Sequence, residues 1–419
     1  MSQSNRKDKI LAFIIWYSAL FLFFYQFIAR SAFPTVLTEQ FMKYFRIDAA
    51  GMGVLASCYY WIYTFMQVPA GILIDKASSR IIATVSAVTC ASGVLIFIAT
   101  SNCYIAGIGQ MLLGFGSSFA FLLTLKVVTS WFPSKEVPVK TSYTMAIGCG
   151  GPIVGGLLVS GLVKDFEWIS IMRIFAISGL FLAVFLWFVV RDNNTTTDKH
   201  KSMPIMESLK IIMTSRQVWI LALFTMMQYA PLSAMGDLWG VSFLKKAYNI
   251  DATVASLANN MLYAGIVVGS PAFAYLAVFL DSYKKPILLG ISTATICMSV
   301  VIFCTGLPLE AVFGLLFLAG FSTGAMLAFP LGMMMYPQSI SATVSGFINM
   351  ASMFSGIILM PLIGVLIDWS WDGTMVTGIK SYNVNDYRVG LSAVVIFLLL
   401  GVLLAFGIKD RSPNENRPK

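Results

Sequence analysis

RDNNTTTDKHK, Arg191 to Lys201, opens the longest polar passage of this chain, which runs on to Arg216, and everything on either side of it is dominated by apolar runs. Six such runs precede it, at 10–37, 51–73, 81–99, 104–131, 141–163 and 169–190. Six follow, at 217–244, 254–280, 286–306, 311–335, 341–367 and 389–408. Each suffices for a membrane-spanning helix, which takes about 20 apolar residues. The sequence therefore predicts an all-α membrane protein of twelve spans: a six-helix bundle over 1–190, a linker over 191–216, and a second six-helix bundle with a short tail over 217–419. Composition agrees. The 419 residues are 58% hydrophobic and 11% charged, against about 45–50% and about 25% in soluble domains, which excludes a soluble enzyme.

An even number of spans puts both termini on one side. Of 28 basic residues, Lys43, Arg46, Lys164, Arg173, Lys245, Lys246, Lys380 and Arg388 fall opposite the linker, Arg30 and Lys126 lie inside spans, and all others fall on the linker side. By the positive-inside rule the linker and termini are expected in the cytoplasm. The net charge of +9 thus reads as orientation, not as a nucleic-acid surface. The polar start Met1–Lys9 precedes an apolar run too long for a signal-peptide core and without a small-residue cleavage site, so a first span is expected there. The six cysteines show no CxxC and no Cys/His cluster, giving no disulfide framework and no metal site. His200, the lone histidine, sits in the linker and leaves none in the membrane as a proton carrier. No cofactor motif is present.

The halves repeat at offsets of 203 to 209. Gly114-Phe115 recurs as Gly320-Phe321, Phe132-Pro133 as Tyr336-Pro337, and Ile47-Asp48-Ala49 as Ile250-Asp251-Ala252. Pro152 with Gly155 recurs as Pro361 with Gly364, and Asp165-Phe166-Glu167-Trp168 as Asp368-Trp369-Ser370-Trp371. Matches in this order indicate two parallel repeats.

Between spans 2 and 3 stands Gly71-Ile-Leu-Ile-Asp75-Lys76-Ala-Ser-Ser-Arg80, with a degenerate counterpart Asp281-Ser-Tyr-Lys284-Lys285. This resembles the signature loop of the major facilitator superfamily, and the likeness extends over the whole chain in helix number and central loop. The resemblance implies a transporter working by alternating access, with Gly71, Asp75, Arg80 and Asp281 latching one conformation. Two departures stand out: Gln110 replaces an arginine found in span 4 of many members, and Ile147 replaces a glycine of the drug-antiporter pattern before Gly148-Cys-Gly-Gly151-Pro152. The latter run reads better as a packing and bending device. Leu125–Pro133, Leu238–Leu244 and Arg30 are similar to a bacterial branch related to lysosomal dipeptide and pathogen nutrient carriers.

A charge in hydrocarbon costs a few kcal/mol or more, so those inside spans mark function or a partner. Arg30, with Gln26 one turn before it, lies in the outer half of span 1. Asp237 is the acid set deepest in a span, and it occupies nearly the repeat-equivalent place in span 7; Tyr229, Ser233 and Asp237 form an i, i+4, i+8 stripe. The pair suits a zwitterion, with Arg30 on a carboxylate and Asp237 on an ammonium, or else the two pair with each other as a latch. Asp237 is also the candidate proton site, since burial and a nearby cation push a carboxyl in opposite directions. Lys126 either snorkels or receives an anion. Asn259, Asn260, Tyr59, Tyr60, Tyr63, Gln228 and Tyr229 are polar enough to line a cavity. The expectation is a non-enzymatic, monomeric multi-pass protein of a bacterial inner membrane. It takes up a small anionic or zwitterionic solute (amino acid, short peptide or organic acid) with protons. An efflux antiporter and a non-transporting receptor are the alternatives.

Overall fold

A computed structural model describes residues 3–133, 136–192, 205–304, 306–376 and 379–413; His200 lies outside them. Eleven helices among the described residues are long and apolar enough to cross a membrane, and Ala49–Lys76 adds a rod of 28 residues. Span 1 comprises Gln3–Phe27, a π-helical turn Ile28–Ala32, and Phe33–Phe45. Spans 2 to 6 are Ala49–Lys76, Ser79–Ile98, Cys103–Trp131, Val137–Leu162 and Trp168–Val189. Span 7 repeats the construction of span 1, with Arg216–Gln228, a π-helical segment Leu232–Trp239, and Gly240–Tyr248. Spans 8 and 9 are Ala252–Phe279 and Lys284–Phe303. Span 10 is broken into Leu309–Phe321 and Ala325–Met334, and spans 11 and 12 are Gln338–Ser370 and Val384–Phe406. Two elements fall where only polar connections are expected from sequence: a helix Ile205–Thr214 in the linker and a hairpin of Met375–Val376 with Ile379–Lys380.

Several helix ends are set by side chains that satisfy the free N–H groups of a first turn. The repeated Ile-Asp-Ala motif is one such device. Asp48 accepts from Gly51 N at 3.0 Å, and Asp251 from Val254 N at 2.8 Å. Span 12 starts with a capping box between Asn383 and Asp386. Large apolar side chains such as Phe181, Phe279 and Leu403 stay well exposed on the spans, a surface that lipid solvates at no cost.

The chain forms two compact units, one of residues 1–37 and 58–198, the other of 38–57 and 199–419. The far end of span 1 and the start of span 2 thus group with the second half of the sequence. Within each unit, glycines let helix backbones touch. A Cβ at Gly114 would strike the carbonyl of Tyr59, and one at its repeat partner Gly320 would strike that of Leu262. The glycine run of span 5 packs on span 1: a Cβ at Gly151 would lie 2.8 Å from Phe24 O, and at Gly155 2.8 Å from Ile28 Cγ2. It is the packing device the sequence suggests. Gly71 is different, since a Cβ there meets nothing within 4 Å.

Candidate functional site

The two charges deepest in the spans sit on the two π-helical turns. A π turn bonds i to i+5 and inserts a residue into the α-helical register, a distortion frequent at functional sites. Arg30 lies in Ile28–Ala32, resting on the small residues of span 5, and Asp237 lies in Leu232–Trp239.

In the first unit Arg30 is 5% exposed. Its Nη2 donates to Tyr60 Oη at 3.0 Å, and its guanidinium carbon lies 5.1 Å from the ring centres of Phe27 and Tyr60 and 5.7 Å from that of Tyr59. Ring faces at this range attract a cation, the more so when water is excluded. Gln26 Oε1 accepts from Tyr59 Oη at 3.2 Å. Spans 1 and 2 thus gather Gln26, Arg30, Tyr59 and Tyr60 into one buried cluster, and Tyr63 stacks on Tyr59.

In the second unit Asp237 is fully buried, and Tyr263 of span 8 donates its hydroxyl to Asp237 Oδ1. Tyr263 is a neighbour of Asp237 that the sequence does not single out. The repeat held the signal: the offset of 203 that links the two Ile-Asp-Ala motifs also carries Tyr60 to Tyr263. One turn earlier on span 8, Asn259 donates its amide to Gly236 O at 3.3 Å. Its Oδ1 is buried without a hydrogen-bond partner, in the space a Cβ at Gly240 would need. Asn260 places its Nδ2 on Ser256 Oγ at 3.4 Å.

Within the expected polar stripe, Ser233 meets Ser355 of span 11 at 2.8 Å and Asp237 meets Tyr263 of span 8. Tyr229 contributes its carbonyl to Ser233 Oγ at 3.3 Å. Gln228 donates to Ser322 O at 3.0 Å, satisfying a carbonyl at the break of span 10. Lys126 Nζ reaches Ile74 O at 2.6 Å and Ala77 O at 3.1 Å. There it neutralises the negative end of span 2.

The signature-loop residues have local partners. Arg80 Nε donates to Val190 O at 3.1 Å, and its guanidinium lies 5.7 Å from the Trp187 ring. Asp192 accepts from Ser78 Oγ at 2.5 Å and Ser79 N at 2.8 Å, capping span 3. Burial alone would raise its pKa, but these bonds and the charge of Lys126 hold it below the usual carboxylate range. In the second unit Asp281 accepts from Ser412 Oγ, and Asp410 takes Ser282 Oγ at 2.6 Å and Lys284 N at 3.0 Å. Each unit therefore caps its third helix with the acid that follows its sixth. The side chain of Asp75 lies outside the described residues.

A further polar cluster joins 38–57 to the remainder of the second unit. Lys380 lies 2.8 Å from Asp368 and 3.2 Å from Asp48. Tyr382 Oη donates to Asp368 Oδ1 at 2.6 Å and accepts from Ala49 N at 3.0 Å, and Ala50 N donates to Asp368 Oδ2 at 2.7 Å. Partial burial would raise Asp48, but Gly51 N and the Lys380 ammonium outweigh it and hold its pKa low. Desolvation would lower Lys380, yet Asp368 and Asp48 together hold it above the usual lysine value.

Twelve spans in two sequence repeats, each with a charge on a π turn, fit the architecture of a membrane transporter. The Major Facilitator Superfamily profile matches residues 19–358, and this chain belongs to that superfamily, whose members are transporters and not enzymes. It is 24% identical over 392 residues to the uncharacterized transporter YybO of Bacillus subtilis (strain 168), covering 85% of this chain and 87% of that protein. It is 27% identical over 147 residues to the probable galactarate/D-glucarate transporter GudP of the same organism, covering 34% and 32%. The membrane sensor protein UhpC of Escherichia coli (strain K12) is 19% identical over 424 residues, covering 92% and 90%. Among solved structures, a bacterial homologue of the human lysosomal transporter Spinster superposes with a TM-score of 0.79 at 14% identity, covering 95% of this chain and 97% of that one. The nucleoside transporter NupG superposes at 0.75 and 13% identity, covering 94% and 99%. These likenesses show the fold.

Proposed function

We propose that this multi-pass membrane protein is an importer of a small carboxylate-bearing solute, moved inward together with protons across a bacterial inner membrane, with both termini cytoplasmic. The observation that carries the reading is Arg30: a permanent cation, 5% exposed, held between three aromatic rings on a π turn. A guanidinium presents a planar fork that matches a carboxylate two-prongedly. The rings fix its stem and exclude water, which strengthens its pull on an anion. Gln26, Tyr59 and Tyr60 orient the group. Asp237 is proposed as the proton carrier, the buried acid whose charge changes during the cycle. Organic acids lead the candidate solutes, because GudP is named for two sugar acids; amino acids and short peptides share the carboxylate.

Purified protein in proteoliposomes tests this. An inward proton gradient drives accumulation of the solute found by a thermal-shift screen of organic acids, amino acids and dipeptides. Arg30→Lys keeps the charge but loses the fork, and weakens solute binding by about tenfold, one charge-assisted hydrogen bond. Asp237→Asn abolishes uphill accumulation and leaves solute exchange. Accumulation against the proton gradient in the opposite sense identifies an efflux antiporter instead. A sensor, the reading that the likeness to UhpC favours, binds solute with no flux at all.

A further inference from the structure

We infer that Tyr263 and Asn259 form a two-state cradle that reads the protonation of Asp237 and turns it into a change of contact between spans 7 and 8. This rests on the proposed role of Asp237 as proton carrier and assigns the residues that tune it.

A carboxyl group changes its hydrogen-bonding character when it takes a proton. Ionised, it only accepts; protonated, it also donates one O–H. A buried carboxyl that visits both forms needs a donor for one and an acceptor for the other, since an unmet buried polar group costs more than a net hydrogen bond contributes. Span 8 supplies both on one face. Tyr263 donates to Asp237 Oδ1 and so serves the ionised form. Asn259 stands four residues earlier, on the same side of the helix, against the same turn of span 7. Which way its amide points is settled by chemistry: the Gly236 carbonyl can only accept, so Nδ2 faces it and Oδ1 faces away. That Oδ1 is an acceptor in a residue 1% exposed, without a hydrogen-bond partner in this structure. Gly240 leaves it room, because any Cβ there would collide with it.

Asp237 follows Gly236, whose carbonyl Asn259 holds and where an added Cβ would meet the Tyr263 hydroxyl, and it precedes Gly240 by three residues. Rotation of its side chain carries the carboxyl from the tyrosine toward the amide. The π turn permits the rotation, since its backbone is wound wider than an α-helix and the flanking Gly236 and Gly240 carry no side chains. In the ionised state spans 7 and 8 are joined through Tyr263; in the protonated state they are joined through Asn259, one turn further along span 8. The proton thus selects which turn of span 8 is bonded to span 7.

Among the described residues of the second unit, the elements packed on this segment carry the following other titratable groups. Span 8 places Tyr263 in this turn. Span 12 carries Tyr387, whose ring lies 6.5 Å from that of Trp239, and the capping residue Asp386. Span 11 contributes Ser355 here and holds Asp368 at its far end, in the Lys380 cluster. Glu39 pairs with Lys245 at 3.0 Å.

The two partners act on opposite protonation states, so their removal moves the titration in opposite directions. The readout is the infrared carbonyl band of the protonated carboxyl in purified protein in lipid, identified by its absence in Asp237→Asn, and followed against pH without any solute. Tyr263→Phe removes a donor to the ionised form, and the midpoint rises by about one pH unit, the worth of one hydrogen bond to a charge. Asn259→Leu removes the acceptor for the protonated form, and the midpoint falls by a similar amount. A 3-fluorotyrosine at 263, a stronger donor with nearly unchanged volume, lowers the midpoint and covers the case in which Tyr263→Phe fails to fold; Asn259→Ala, which also lacks the acceptor, lowers it too and covers the case in which Asn259→Leu fails to fold. Midpoints of Tyr263→Phe and Asn259→Leu that move in the same direction, or that stay within about 0.2 units in all variants, a fraction of the energy of a hydrogen bond, overturn the cradle even if Asp237→Asn abolishes accumulation. A carboxyl band insensitive to pH in the unmodified protein, with accumulation intact in Asp237→Asn, removes the proton role itself and the cradle with it.

Discussion

Replacing Lys380 by methionine tests whether 38–57 is held in place by charge. The substitution keeps the length and apolar stem and removes the ammonium that bridges Asp368 at 2.8 Å and Asp48 at 3.2 Å. Lys380 is 28% exposed at its side chain, Asp368 13% and Asp48 43%. The outer pair with Asp48 is therefore worth about 0.5 kcal/mol and the drier pair with Asp368 about 1 kcal/mol. Asp368 keeps Tyr382 Oη and Ala50 N, so the variant leaves no uncompensated buried charge. The sum, about 1–2 kcal/mol, changes an equilibrium between clasped and released forms by roughly 5- to 30-fold. Spin labels at Lys43→Cys and Met375→Cys, both exposed positions, report this by pulsed dipolar distances in a background where the exposed Cys304 is serine. The longer-distance population grows by that factor in Lys380→Met. The pH dependence has a definite sign. Asp48 has a lowered pKa, so its contribution is complete above the ordinary carboxylate value and is lost only as pH falls below it. Lys380 has a raised pKa, so its contribution is complete below the ordinary lysine value and is lost only at higher pH. Between about pH 5 and 9 the distances therefore stay constant. An unchanged distribution in Lys380→Met, or a pH-dependent one in the unmodified protein over that window, refutes the reasoning.

Two shorter predictions concern packing and capping. Gly114→Val drives two methyls and a Cβ into the Tyr59 carbonyl and destabilises the first unit by about 1–3 kcal/mol, seen as a lower unfolding midpoint in detergent. Gly71→Ala, with open space around it, leaves that midpoint unchanged. Lys126→Met removes the cap on Ile74 O and Ala77 O and lowers stability by about 1 kcal/mol, while solute affinity stays within about twofold, a difference under half a kcal/mol.

The spans were legible because hydrocarbon selects long apolar runs, and their order in two repeats was legible because paired motifs fall at nearly constant offsets. Their ends were less so. Span 1 is expected to stop at 37 but remains helical to Phe45, since a helix does not end where lipid ends. Arg30 and Asp237 were found by their cost alone. What surrounds them was harder to read, because a π turn leaves no residue signature and the partners Tyr60 and Tyr263 come from the neighbouring span. Asp368 shows the opposite case. Its sequence marks only a repeat, and its partners Lys380, Tyr382 and Ala50 come from residues up to about 320 positions away, which no local pattern joins.

The tyrosines at 60 and 263 also bear on how a duplicated gene acquires two different chemistries. Tyr60 accepts from a guanidinium, while Tyr263, its counterpart, donates to a carboxylate. A phenol is amphoteric toward hydrogen bonds, so the same socket tolerates a cation in one copy and an anion in the other. Inverting the charge of a buried residue ordinarily demands a simultaneous change in its neighbour. Here a hydroxyl need only turn about its C–O bond, so the same tyrosine socket serves a charge of either sign on the facing span.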